Sequence, residues 1–433
     1  MRCSLVLALI AIAFSASPAS AGVVPDSEIR QIINDRAGGE KGVGIVVGVI
    51  DPRGQRIIAT GGFGGKTLFE IGSVTKVFTA LLLADMVEHG EVKLTDPAAN
   101  NLPMPLEDLA THTSGLPFMP DGDITTREQM YQYLREHRPA HSGTWEYSNL
   151  GYWLLGDALA ERANKDFAIL LQKRVLEPLK LHDTTTRPTP AQKRRVAPGF
   201  DASLQPARPA SSMPGYSMMT AAGIGWYSTA DDLLTFVAAA LGLRRSSMQP
   251  AMAAMLRTTR PVSANTKQAL GWLIVGDDHD PLIVHDGGTV GYSASVAWDP
   301  KLRTGVVVLS NQFGDVGDIA RHVLRPSMPL HERTATKHKE IAIEAATLAS
   351  YAGSYEASGE GVFVIDASEG FLTIQPPSDW GLPKLRLHAE SEREFFVSEL
   401  PLRVVFQMSG THVSGIVVYP PRGQKGVAAA RRE

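Results

Sequence analysis

Apolar and polar positions along this chain change their spacing several times, and each change marks a different kind of element. Val43 to Ile50 is a strand-like apolar run, Asp51-Pro52-Arg53-Gly54 is a turn signal, and Arg56 to Thr60 resumes as a strand, so a hairpin is predicted. Val74, Val77, Phe78, Leu81 and Leu82 then recur at helical spacing and form one apolar face. Ser73 stands where an N-cap or first-turn residue belongs, and Gly90 supplies the stop. From Glu91 to about Thr259 the pattern is mostly helical, broken by Pro- and Gly-rich loops; Gly151 to Glu161 and Asp231 to Leu241 are the clearest helices. Short β-like runs return at Trp272 to Val275, Leu282 to His285, Ser293 to Trp298 and Gly305 to Ser310.

Strands at both ends of a helical middle predict one antiparallel sheet built from the N- and C-terminal parts with a helical lobe inserted, an α+β arrangement whose cleft is the default place for a site. Residues 326–347 turn polar and basic, with Pro326, Pro329 and Lys337-His338-Lys339, and read as a linker. After Tyr351, six short runs at even spacing predict a small all-β domain over residues 348–433, a sandwich or barrel. The last residues, Gly423 to Glu433, carry no such pattern and read as loose.

The beginning of the chain has a separate logic. Arg2 is followed by the apolar run Ser4 to Phe14 and then by small residues ending Ala19-Ser20-Ala21. A basic start, an apolar stretch too short to span a bilayer and a small-x-small end predict a signal peptide over residues 1–21, and with it a periplasmic or secreted protein. Cys3 is the single cysteine, so neither a disulfide framework nor a cysteine zinc site can form within the chain. A net charge of −3 advertises no nucleic-acid or membrane surface, leaving a small molecule or peptide as the expected partner.

Three motifs can carry chemistry. In Phe69-Glu70-Ile71-Gly72-Ser73-Val74-Thr75-Lys76, Ser73 and Lys76 lie three apart and so share one helix face. A lysine whose ammonium is destabilised can take the serine proton. Tyr147-Ser148-Asn149 follows a Gly-Thr turn; a tyrosine relays a proton if its pKa falls toward neutrality, and an asparagine offers both donor and acceptor. His285-Asp286-Gly287-Gly288 ends an apolar strand, and glycines there let a substrate backbone approach. Each motif alone also fits a bland reading: a capping serine, a satisfied core tyrosine, a tight turn.

Together and in this order, S-x-x-K, Y-x-N and H-x-G resemble the serine β-lactamase and penicillin-binding protein superfamily, in its class C β-lactamase and D-alanyl-D-alanine carboxypeptidase/endopeptidase branch. Leu109 to Pro117 and the sequence around Ser73 are also similar to family segments, and the resemblance covers roughly residues 25–325. It implies a β-lactamase/transpeptidase-like fold for residues 22–325. The region opening Tyr351-Ala352-Gly353-Ser354-Tyr355 resembles the lipocalin-like β domain of some members. The resemblance further implies Ser73 as acylated nucleophile, Lys76 and Tyr147 sharing base and proton-return duties, and no metal or cofactor. Asn149 would hold the substrate amide, the N–H groups of Ser73 and Gly288 would form the oxyanion hole beside Gly287, and His285 would face a substrate carboxylate.

Two departures matter. Asp286 stands where members often have a threonine that helps bind a carboxylate, and it repels one if it faces the cleft. Phe118-Met119 stand where class C β-lactamases usually carry a glutamine. The expected activity is therefore an acyl-enzyme hydrolase of D-alanyl peptides or β-lactams. An esterase or D-amino-acid peptidase on the same scaffold, or a catalytically silent binding module, remain as alternatives. Three weaker signals are set aside. Gly61 to Thr67 lacks the first glycine of a phosphate loop, Pro139 breaks the His137–His141 spacing, and Asp277 to Asp280 reads as a solvated turn.

Overall fold

A computed structural model describes residues 23–432 apart from 100–101, 121–123, 138–142, 203, 213–215, 332–337, 369, 378–379, 381–383, 398–401, 411 and 420–425. The signal-peptide segment, His141 and part of the linker lie outside the described residues.

The predicted hairpin is β1 (Ile45–Asp51) and β2 (Gly54–Ala59). It joins strands from the far end of the domain: β3 (Thr259–Ser263), β4 (Thr266–Ala269), β5 (Leu273–Val275), β6 (Leu282–Thr289), β7 (Tyr292–Asp299) and β8 (Thr304–Ser310). The sheet order is β2-β1-β8-β7-β6-β5-β4-β3, antiparallel throughout, with Ile45 opposite Ser310 in the register that closes N-terminal onto C-terminal strands. β1, β7 and β8 are buried at every position because the sheet is covered on both sides. On one face lie α1 (Asp26–Ala37) and α5 (Gly317–Leu324), packed on Val47, Val49, Val284 and Val308. The other face carries the helical lobe, with α2 (Thr75–Glu88), α3 (Asn149–Ala163) and α4 (Ala230–Ala240).

Two expectations change here. The single apolar face expected of α2 is instead burial on all sides: Thr79, Ala80, Leu83 and Ala84 are as covered as Val77 and Phe78. A helix lodged between lobe and sheet has no solvent side. The loose C-terminus is also corrected, because Val427–Arg431 is a strand pairing with Gly415–Val418 and, through Arg431, with Tyr355. It closes an eight-stranded antiparallel barrel that begins at Gly353–Ala357. The helix Ala345–Tyr351 precedes the barrel and packs Leu348 and Tyr351 into its interior. Tyr355, Phe363, Phe395 and Phe406 fill that interior, with Phe406 edge-on to both Tyr355 and Phe395.

α1 is tied to α5 by a buried ion pair. Arg36 on α1 donates to both oxygens of Asp318, at 3.1 and 2.5 Å, and to the carbonyls of Asp315 and His331. Burial alone would push the Asp318 carboxyl up, but the Arg36 guanidinium holds it below the usual range. Its contribution is therefore present above the pKa of an unfolded aspartate and is lost as pH falls through the folded value. Arg36→Met is expected to cost about 3–5 kcal/mol, the usual loss when one partner of a buried pair is removed. Urea unfolding at neutral pH checks this, and a loss within experimental error would contradict it.

Candidate active site

The loop Phe69–Glu70 pairs with Tyr227–Ser228, and Ile71 N–H donates to the Trp226 carbonyl, fixing the entry to α2. Ser73 sits in the 3₁₀ turn Gly72–Val74 ahead of α2, one position before Val74, which is the N-cap residue of that helix. Gly72 has φ +48°, and a Cβ there would lie 2.7 Å from the Gly288 nitrogen; one on Gly287 would lie 2.1 Å from the Ile71 carbonyl oxygen. These two positions demand glycine because the serine turn and the end of β6 touch backbone to backbone.

Lys76 is fully buried one turn further on. Its Nζ lies 3.0 Å from Ser73 Oγ, 2.7 Å from Asn149 Oδ1 and 2.6 Å from the Ala222 carbonyl. Among the described residues no carboxylate is bonded to the amine, and burial holds it well below the ordinary lysine value. A neutral amine has two N–H bonds and one lone pair. Asn149 Oδ1 and Ala222 O are pure acceptors that each take one N–H of the group, so that once its third proton is lost the lone pair is left toward Ser73 Oγ.

Tyr147 donates its hydroxyl to Ser73 Oγ at 2.7 Å. Its pKa does not fall toward neutrality, as the sequence reading required; burial pushes it above the ordinary phenol. The group is a neutral O–H donor. The segment is held by α3, whose N-cap is Ser148: its Oγ accepts from Gly151 N–H and donates to the Pro117 carbonyl at 2.6 Å. Asn149 N–H donates to the Phe118 carbonyl, and Asn149 Nδ2 lies 3.9 Å from Met119 Sδ.

His285 and Gly287 project from the face of β6 that meets the lobe. The His285 ring is 4% exposed, its Nδ1 lies 2.8 Å from the Asp286 carbonyl, and burial with the nearby Lys76 lowers its pKa to about 4. Its Nδ1–H donates to that carbonyl, and burial disfavours the charged ring, which leaves Nε2 as an acceptor. Asp286 points the other way. Ser295 Oγ donates to it at 2.6 Å and Arg321 of α5 at 2.9 Å.

Three participants carried no role in the sequence reading. His112 stacks on Tyr147 with centroids 4.4 Å apart, and its Nδ1 accepts the Ser148 N–H. It lies inside the Thr111-His112-Thr113 segment, which was the available signal. Ala222 acts through a backbone carbonyl, which no side-chain motif reports. Arg321 lies 35 residues from its partner Asp286, beyond any local pattern.

The Beta-lactamase family model matches residues 29–325. The chain is 29% identical over 280 residues to the D-alanyl-D-alanine-carboxypeptidase/endopeptidase AmpH of Escherichia coli K12, covering 56% of this chain and 70% of that protein. It is 30% identical over 294 residues to a β-lactamase of Pseudomonas fluorescens, covering 57% and 80%. A class C β-lactamase structure from Rhodobacter sphaeroides superposes with a TM-score of 0.62 at 26% identity, over 70% of this chain and 97% of that one. A β-lactamase/D-alanine carboxypeptidase from Pseudomonas syringae, at 21% identity and TM-score 0.63 over 70% and 99%, shares the fold.

Proposed function

This chain belongs to the Beta-lactamase family of serine hydrolases, and on that premise we propose that it is an exported enzyme that acylates Ser73 with D-alanyl compounds, whether peptide or β-lactam. The observation that carries the reading is the buried Lys76 amine held by two fixed carbonyl acceptors with Ser73 as its third neighbour. The order of basic, apolar and small residues before residue 22 supports export, and among the described residues no helix is long and apolar enough to cross a membrane.

Ser73 Oγ attacks the carbonyl carbon while its proton passes to the Lys76 lone pair. The carbonyl oxygen takes the negative charge between the N–H groups of Ser73 and Gly288, where one such donor is worth about 3 kcal/mol to the transition state. The tetrahedral intermediate expels the leaving amine, which takes the Tyr147 proton. The Lys76 ammonium then returns its proton to the Tyr147 phenolate, leaving a neutral amine and a neutral phenol beside the acyl-enzyme. Water then attacks the acyl carbon by the same path in reverse, releasing the acid and Ser73.

Ester or D-amino-acid amide hydrolysis on the same site is the second reading. It is favoured by Met119, whose thioether sits against Asn149 and offers no amide donor to a substrate.

A fluorescent penicillin and a fluorophosphonate probe test the proposal on the intact chain. The adduct is expected on the peptide containing Ser73, located by mass after proteolysis. An adduct elsewhere, or none with either probe, overturns it. Turnover of a chromogenic cephalosporin, a D-alanyl-D-alanine peptide and a nitrophenyl ester side by side then separates the two readings.

A further inference from the structure

Glu70 is a buried carboxyl that none of the steps above uses. It is 2% exposed and stands three residues before Ser73. Tyr227, its partner across the short strand pair, donates its hydroxyl to Glu70 Oε1 at 3.0 Å. No cation is paired with Glu70 among the described residues, and an isolated buried carboxylate is costly. Burial pushes the Glu70 carboxyl up, and the nearby Thr289 and Tyr227 hydroxyls oppose that rise.

Thr289 is the last residue of β6. Side chains alternate along a strand, so Thr289 shares the lobe face with His285 and Gly287. A Cβ on Gly287 would lie 2.1 Å from the Ile71 carbonyl oxygen and 3.0 Å from the Ser73 nitrogen. Further along that face, Thr289 comes level with the residue before Ile71, which is Glu70. The Thr289 hydroxyl is buried and has no hydrogen-bond partner of ordinary geometry among the described residues. The Glu70 carboxyl beside it is the group placed to supply one.

This corner lies between the two donors given above to the oxyanion, which come from different parts of the chain. The serine turn and β6 touch there backbone to backbone, because a Cβ on Gly72 would lie 2.7 Å from the Gly288 nitrogen. Gly288 directly precedes Thr289, and Ser73 closely follows Glu70. A link from Glu70 to Thr289 therefore joins the segment of one donor to the segment of the other. We propose that Glu70 is a positioning residue: as a buried acid joined to Tyr227 and Thr289, it fixes the separation of the Ser73 and Gly288 N–H groups. This rests on acylation of Ser73 and adds to it a part outside the three motifs. In the acid form the carbonyl oxygen accepts from Tyr227 and the hydroxyl donates to Thr289. Donors to an oxyanion act by being fixed in advance, so slack between them slows bond formation and leaves binding little changed.

The test follows labelling of Ser73 by the fluorophosphonate probe at several concentrations, which separates the maximal rate, kinact, from the half-saturating concentration, KI. The phosphoryl oxygen of the probe needs the same two N–H groups. Glu70→Leu is expected to lower kinact at least about tenfold with KI little changed. Glu70→Gln offers the same acceptor and donor and should recover most of that rate. Thr289→Val keeps the shape without the hydroxyl and should lower kinact in the same way. The double variant Glu70→Leu/Thr289→Val should be no slower than the slower single variant, because both break one link. Wild-type kinact in either single variant, a Glu70→Gln as slow as Glu70→Leu, losses that multiply in the double variant, or a loss confined to KI overturns the proposal. Circular dichroism shows which variants are folded, and if Glu70→Leu is not, Thr289→Val and Glu70→Gln decide by the same criteria. A wild type that takes no probe at Ser73 is the separate failure of the acyl-enzyme reading.

Discussion

Lys76→Met is expected to lower kcat/KM by about 10³–10⁴-fold, the upper part of the range for a lost general base. The effect is large because, among the groups bonded to Ser73 Oγ, Tyr147 is a neutral donor and only Lys76, on losing a proton, offers a lone pair to the hydroxyl. Methionine matches the length but leaves the Asn149 and Ala222 oxygens without a donor, so some loss of melting temperature is expected beside the loss of chemistry, and circular dichroism at the assay temperature shows that the variant is folded. Lys76→Arg should be as inactive, because a guanidinium stays protonated. In wild type, activity should rise with pH through the titration of Lys76, with its midpoint well below the ordinary lysine range, because burial disfavours the ammonium. An active Lys76→Met, or an acid limb at the usual lysine value, would remove Lys76 from the mechanism.

Tyr147→Phe is expected to cost about 10²-fold in kcat with little change in KM. The phenol reaches Ser73 Oγ at 2.7 Å, and its raised pKa makes it a reserve of one proton rather than a base. The size of the loss should follow the leaving group. An amine must be protonated to depart, whereas a nitrophenolate departs as an anion. The deficit should therefore be largest on the peptide amide and small on a nitrophenyl ester, and steady-state rates on the two substrates check this. Equal losses on both would give Tyr147 a structural role, such as the ring contact with His112.

Local pattern served the central strands and the barrel runs well, because in each the apolar residues are contiguous or alternate. It failed on β3 and β4. Thr259-Arg260-Pro261 and Thr266-Lys267-Gln268 form an edge hairpin whose outer positions are half or fully exposed, so they carry no apolar period to read. Val427-Ala428-Ala429-Ala430-Arg431 has little β propensity and is a strand because the barrel leaves one gap between Gly415–Val418 and Tyr355. α2 showed its apolar spacing correctly but not its depth, which depends on α3, α4 and the sheet arriving from other parts of the chain.

For the site, the primary sequence alone determined what short covalent spacing can determine. Three residues of helix put Ser73 and Lys76 on one face, and the step from Tyr147 to Asn149 carries the chain across the N-cap of α3. Only the tertiary structure decided the state of those groups. Lys76 owes its lowered proton affinity to burial and its orientation to Asn149 and Ala222, which lie 73 and 146 residues away. Burial in the folded core disfavours a charged His285 ring, and Asp286 turns from the cleft because Ser295 and Arg321 hold it on the far face of β6. The reason is one of range: backbone geometry is set by neighbours in sequence, whereas dielectric, hydrogen-bond partners and field are set by neighbours in space.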